Sequence, residues 1–156
     1  MTGRILVIVI LVATVIFGAG LWYSQVYAWY DDVSAITRPG LVNLATGTRE
    51  ELPVRDLQAI EKATSPLGFR ACFRLEQNLS TLTETYRMYS EPTPLIAPAW
   101  FDCFDARGIG EALESGAALA FLDTRNIRDG VDRVIAVFDD GRAYAWSQLN
   151  EKYADE

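Results

Sequence analysis

Residues 120–146 read AFLDTRNIRDGVDRVIAVFDDGRAYAW, and this stretch decides the fold. Val131 to Phe138 is rich in β-branched and apolar residues, the composition of a strand. Asp139-Asp140-Gly141 follows it as a hairpin turn, because Asp and Gly tolerate the positive φ that tight hairpins need. Arg142 to Trp146 then pairs back. On the other side, Ala120 to Thr124 reads as a strand and Arg128-Asp129-Gly130 as the turn leading into Val131. Consecutive short turns imply an antiparallel sheet.

Further out, Phe69, Ala71, Phe73 and Leu75 alternate with Arg70, Cys72 and Arg74, the period-two pattern of a half-buried strand. Leu41 to Ala45 and the Thr- and Tyr-rich Thr81 to Tyr89 read as two more strands. Leu52, Leu57, Ile60 and Ala63 approximate a helical stripe, so Leu52 to Thr64 is expected to be a helix stopped by Ser65-Pro66-Leu67-Gly68. Asp105 can cap a helix running to about Leu119, loosened by Gly108, Gly110 and Gly116. Ser147 to Ala154 is expected to be a short terminal helix capped by Ser147, and Asp31 to Arg38 a short stem. Glu91 to Pro98 carries three prolines and is read as a loop. The expected fold is α+β: one small domain over 31–156 with an antiparallel sheet and two or three helices on one face.

Residues 5–22 read ILVIVILVATVIFGAGLW, eighteen residues without a charge. At about 1.5 Å per residue such a run covers most of a bilayer core of about 30 Å. Trp22, Tyr23, Tyr27, Trp29 and Tyr30 cluster at its end as an interfacial aromatic belt. The expectation is a transmembrane anchor over 1–30. The competing reading is a cleaved signal peptide, but the apolar run is long and Val26-Tyr27-Ala28 is a poor cleavage site. Arg4 precedes the helix and Asp31 and Asp32 follow it, so the positive-inside rule places the N-terminus in the cytoplasm and the domain outside it, in the periplasm if the source is a Gram-negative bacterium. Gly18-Ala19-Gly20 lacks the GxxxG spacing and reads as ordinary membrane-helix glycine.

The chain has 14 Lys and Arg against 21 Asp and Glu, for a net charge of −7. All but one of the basic residues lie in the outer domain, which is strongly acidic and repelled by phosphate backbones, so no nucleic-acid partner is expected. There is no histidine, which removes the commonest acid/base and metal ligand. Asp102, Asp105, Asp129, Asp132, Asp139 and Asp140 sit where turns and caps already favour Asp. No nucleophile elbow, phosphate loop or calcium loop is present. Asn78-Leu79-Ser80 matches a glycosylation triplet by chance. No catalytic residue, metal or cofactor is expected.

Cys72 and Cys103 are the two cysteines. In an oxidising compartment an even pair suggests a disulfide, closing a loop of about 32 residues and stabilising by roughly 3–4 kcal/mol. The competing reading is two unpaired buried thiols. Leu95, Ile96 and Trp100 lie on a proline-stiffened stretch and are candidate docking residues, since interfaces favour aromatic and apolar anchors.

The opening MTGRILVIVILVATVIFGAGLWYSQVYAWYDDV, with ACFRL and FDCFDARGIGEALESGAALAFL, resembles a family of uncharacterised single-pass membrane-anchored proteins from alphaproteobacteria. The resemblance implies an inner-membrane location and brings no activity. The functional expectation is a non-catalytic accessory, assembly or interaction subunit of a bacterial membrane complex, for example a respiratory one. Its partners would be the lipid bilayer and other membrane proteins, met through the helix and the outer domain. The alternatives are an anchored periplasmic ligand-binding or sensory domain, which with only Met1 to Arg4 inside would signal through a partner, and an anchored hydrolase using Asp102, Asp105, Asp129 and Asp132.

Overall fold

The computed structural model describes residues 2–153. It divides into two units, Met1–Tyr30 and Asp31–Glu156. The first is built on α1 (Thr2–Val26). Its Gly3–Val26 stretch is 24 residues with mean hydropathy 2.8 in its most apolar window. That is about 36 Å of helix, long and apolar enough to cross a membrane. Trp22 and Tyr27 pack edge to face at 5.5 Å, and Tyr23 stacks on Tyr27 at 5.8 Å.

The second unit holds the sheet. Its strands are β1 (Tyr30–Asp32), β2 (Gly40–Val42), β3 (Arg49–Glu51), β4 (Val54–Lys62), β5 (Arg70–Leu75), β6 (Ala118–Arg128), β7 (Val131–Phe138) and β8 (Arg142–Leu149). Two helices, α2 (Leu79–Thr85) and α3 (Ala106–Ser115), lie between β5 and β6. Six strands form one sheet in the order β1-β4-β5-β8-β7-β6, while β2 and β3 form a separate antiparallel pair. The architecture is α+β with an antiparallel sheet.

Alternation sorts the side chains into two layers. Ala71, Phe73 and Leu75 of β5, Ala143 and Ala145 of β8, Ile135 and Val137 of β7 and Phe121 of β6 form one core with Leu82 and Tyr86 from α2 and its end, and Leu41 from β2. Burying each large apolar side chain contributes about 1.5–3 kcal/mol. The opposite face carries Arg70, Cys72, Tyr144, Trp146, Val134, Ala136, Ala120 and Leu122, in register across β5, β8, β7 and β6. Phe104 covers it, edge-on to Tyr144 and Trp146 at 6.1 and 6.4 Å. Both faces of the sheet are therefore covered, where one covered face is expected from the pattern of turns.

Several local expectations fail for identifiable reasons. Leu52 to Thr64 is not a helix. It contains the whole of β4, whose partner register advances from Arg55↔Arg74 to Gln58↔Cys72. Three steps on β4 match two on β5, so β4 carries one extra residue, with Asp56 at φ 53. A bulge of this kind breaks period-two alternation and leaves apolar positions at helix-like spacing. Thr81 to Tyr89 begins as α2, whose N-cap Asn78 accepts from the Thr81 amide at 2.9 Å. Only Tyr86 and Met88 make isolated bridges, to Asn43 and Phe121. The proposed terminal helix over 147–154 is also absent: Ser147 and Gln148 continue β8 opposite Arg133 and Asp132, and Ala154 lies outside the described residues. The Asp31–Arg38 stem begins as β1 at the sheet edge, and the Val33 amide bonds the Ala59 carbonyl at 2.9 Å.

Candidate functional site

Ser90 to Trp100 forms a strap of irregular chain over one end of the sheet, and its attachment is built from two buried side chains. Arg70 is 5% exposed. Its guanidinium donates to the carbonyls of Leu95 at 2.8 Å and Ile96 at 3.0 Å on the strap, and to those of Leu67 at 2.7 Å and Phe69 at 2.6 Å below it. The planar fork of an arginine suits several fixed carbonyls at once. Gln148, from β8, is the second fastening. Its Oε1 accepts from the Thr93 amide at 2.8 Å and the Trp146 indole at 2.9 Å, and its Nε2 donates to the Glu91 carbonyl at 2.9 Å. Three prolines then limit what backbone freedom remains.

The cysteine pair lies just beyond the strap. Cys72 and Cys103 are joined by a disulfide with Cα atoms 6.3 Å apart. It ties the centre of β5 to the segment that leads into α3, whose N-cap Asp105 accepts from the Arg107 amide at 3.1 Å. Cys72 and Arg70 lie on a face expected to be polar and solvent-facing. Both are buried there, because the strap and Phe104 close that face.

The three candidate docking residues separate. Ile96 is 84% exposed and Trp100 37%, whereas Leu95 is half-buried and turns beneath the strap. Leu95 there lines a cavity of about 650 Å3, within the range of small-ligand sites. Leu67, Met88, Tyr89, Leu122 and Leu149 supply the rest of its apolar wall. Arg125 at the rim pairs with Glu151. Arg87 and Glu91, also on the wall, have no side-chain hydrogen bond or ion pair among the described residues.

A buried polar cluster supports this wall from behind. Asp132 is fully buried. It accepts from the Asn126 amide and the Asn150 side chain at 2.9 Å and from the Tyr89 hydroxyl at 3.2 Å. Burial, then the Asp132 charge and this hydrogen bond, push the Tyr89 phenol up to about 12. Asn126 holds its carbonyl oxygen on Gly130 and Asn150 from a positive φ of 51. Elsewhere Asp123, buried at β6, bonds Arg49 at 2.6 Å; burial nonetheless raises its carboxyl above the usual range.

The remaining acidic pairs do not converge. Asp129 bonds Lys152 and Tyr153 on the surface, Asp140 bonds Arg142, and Asp105 caps α3. Among the described residues no three His, Cys, Asp or Glu side chains gather closely enough for a metal ion.

A family model described as a family of unknown function, DUF6446, matches residues 40–156, most of the 156-residue chain. The chain belongs to DUF6446. No curated protein and no solved structure matches it. The strap, the cavity and both cysteines all fall inside the DUF6446 region.

In this DUF6446 chain the proline-rich strap is visible in the sequence and its fastenings are not. Arg70 sits in an alternating strand where every second residue looks solvent-facing. Gln148 falls in a segment read as helix. The usable signal is the proline-rich stretch itself: a chain segment poor in backbone donors needs side chains to hold its carbonyls.

Proposed function

We propose that this chain is a membrane-anchored, non-catalytic accessory or interaction subunit of a bacterial membrane protein complex, docking through the strap. The observation that carries the reading is the contrast within residues 90–100. Arg70 and Gln148 bury their polar groups to fix the strap from below, while Ile96 and Trp100 face outward. A rigid segment presenting an apolar side chain and a Trp loses little entropy on binding and supplies the anchors that interfaces use.

The domain lies on the periplasmic side of an inner membrane in this reading, with the N-terminus in the cytoplasm. The Cys72–Cys103 disulfide supports that side, since such bonds persist in oxidising compartments. The charge flanks of α1, Arg4 before it and Asp31 and Asp32 after it, agree. Trp22, Tyr23, Tyr27, Trp29 and Tyr30 would then mark the outer interface.

The test is a gentle-detergent pull-down of a C-terminally tagged chain from native membranes, read by native gel and mass spectrometry. Stoichiometric membrane partners lost in the I96A/W100A double variant are expected. A chain that purifies alone, or partners retained by the variant, would remove the docking reading. A second reading, an anchored ligand-binding domain, is favoured by the cavity under the strap.

A further inference from the structure

We infer that the cavity beneath the strap is a binding site for a short apolar peptide carrying both of its terminal charges. The inference is independent of what Ile96 and Trp100 dock against. Three observations on the same wall carry it.

The first is shape and polarity. The cavity, about 650 Å3, is lined by Leu67, Leu95, Leu122, Leu149, Met88 and Tyr89. Met88 and Leu149 remain 49% and 42% exposed. Apolar surface left open in a fixed concavity gains from covering by an apolar ligand. The wall is pre-formed, because Gln148 fixes the strap on one side and the Tyr89–Asp132 bond fixes the other.

The second is charge. Arg125 is already compensated by Glu151. Arg87 and Glu91 are not paired with each other or with any other described residue. They stand four positions apart, at most about 14 Å along the chain. One unpaired cation and one unpaired carboxylate beside an apolar cavity complement a molecule with a carboxylate at one end, an ammonium at the other and apolar groups between. A fatty acid would satisfy Arg87 alone and leave Glu91 against its tail.

The third is the backbone of Met88. The Tyr89 amide bonds the Ala120 carbonyl at 2.8 Å, and the Leu122 amide bonds the Arg87 carbonyl at 2.9 Å. These two bonds flank the Met88↔Phe121 bridge. In that antiparallel pattern the central residue's own N–H and C=O point away from the partner strand. Neither has a partner among the described residues. A peptide's amides can pair with them as an added strand does.

The test uses the full chain in lipid nanodiscs, labelled at methionine methyl carbons, with trileucine as probe. Met1 and Met88 are the two methionines, so Met88 reports the cavity and Met1 serves as control. A saturable shift of the Met88 methyl with Met1 unchanged is expected, in the micromolar to millimolar range. R87Q and E91Q, both at exposed positions, should each weaken it about tenfold, and N-acetyl-trileucine amide should bind wild type no better than the free peptide binds either variant. No Met88 shift by about 10 mM, equal affinity in the charge variants, or a shift caused by decanoate but not by trileucine would each overturn the inference.

Discussion

Arg70→Met keeps the aliphatic stem of the side chain and removes its donors. In the structure that guanidinium holds four carbonyls, two on the strap at Leu95 and Ile96 and two beneath it at Leu67 and Phe69. Losing a charged hydrogen bond costs about 1.5–3 kcal/mol when the acceptor stays buried and unpaired. The four are not additive, and the strap carbonyls can regain water by lifting. A net loss of about 3 kcal/mol for strap closure is therefore expected. At about 1.4 kcal/mol per tenfold, that is roughly a hundredfold faster exchange of the Thr93 amide, the strap N–H that Gln148 accepts. The assay is hydrogen–deuterium exchange by mass spectrometry on the full chain in nanodiscs, comparing the peptide over 91–100 with one over β7. In the variant the strap peptide accelerates and β7 does not. Unchanged strap exchange would refute the claim that Arg70 holds the strap. Equal acceleration in β7 would show that Arg70 serves the whole fold instead.

Other expectations are more local. Reducing the Cys72–Cys103 bond, separated by 31 positions, should lower stability by about 3–4 kcal/mol, read as denaturation midpoints with and without reductant. The Tyr89 phenol stands near 12 against an ordinary 10.0, so the fold favours its neutral form. That stabilisation is complete below pH 10 and is lost as pH rises through about 12. Alkaline denaturation of Y89F should lack this component, and a titration of tyrosine absorbance should lose its late-ionising phase. Gly141 closes the β7–β8 hairpin at φ 82, where an added Cβ would lie 2.6 Å from the Leu75 carbonyl oxygen. Gly141→Ala should therefore cost about 1–2 kcal/mol by thermal unfolding.

How much of this was legible depends on how local each signal is. The β7–β8 hairpin was readable because Asp139-Asp140-Gly141 places a φ-positive glycine between two apolar runs, and the pairing of Val131–Phe138 with Arg142–Leu149 follows. The start of α3 was readable from Asp105, whose carboxylate meets the Arg107 amide. β4 was not, because the bulge at Asp56 shifts its apolar residues off the period-two pattern that identifies a strand. α2 was not, because a seven-residue helix rests on its Asn78 cap and on Leu82 in the core rather than on the propensities of its threonines. Of the candidate site, the docking residues and cysteines were visible as residue types. The fastenings were hidden, since Arg70 and Gln148 look like surface polar residues until the strap covers them.

In the proposed function the strap meets a protein partner. A photo-crosslinking amino acid placed at position 96, in cells, tests it most directly, with Leu44, also exposed at 53%, as the control position. One dominant crosslinked membrane protein is expected from position 96 and none of it from position 44. Crosslinks to lipid alone, or the same diffuse products from both positions, would contradict it.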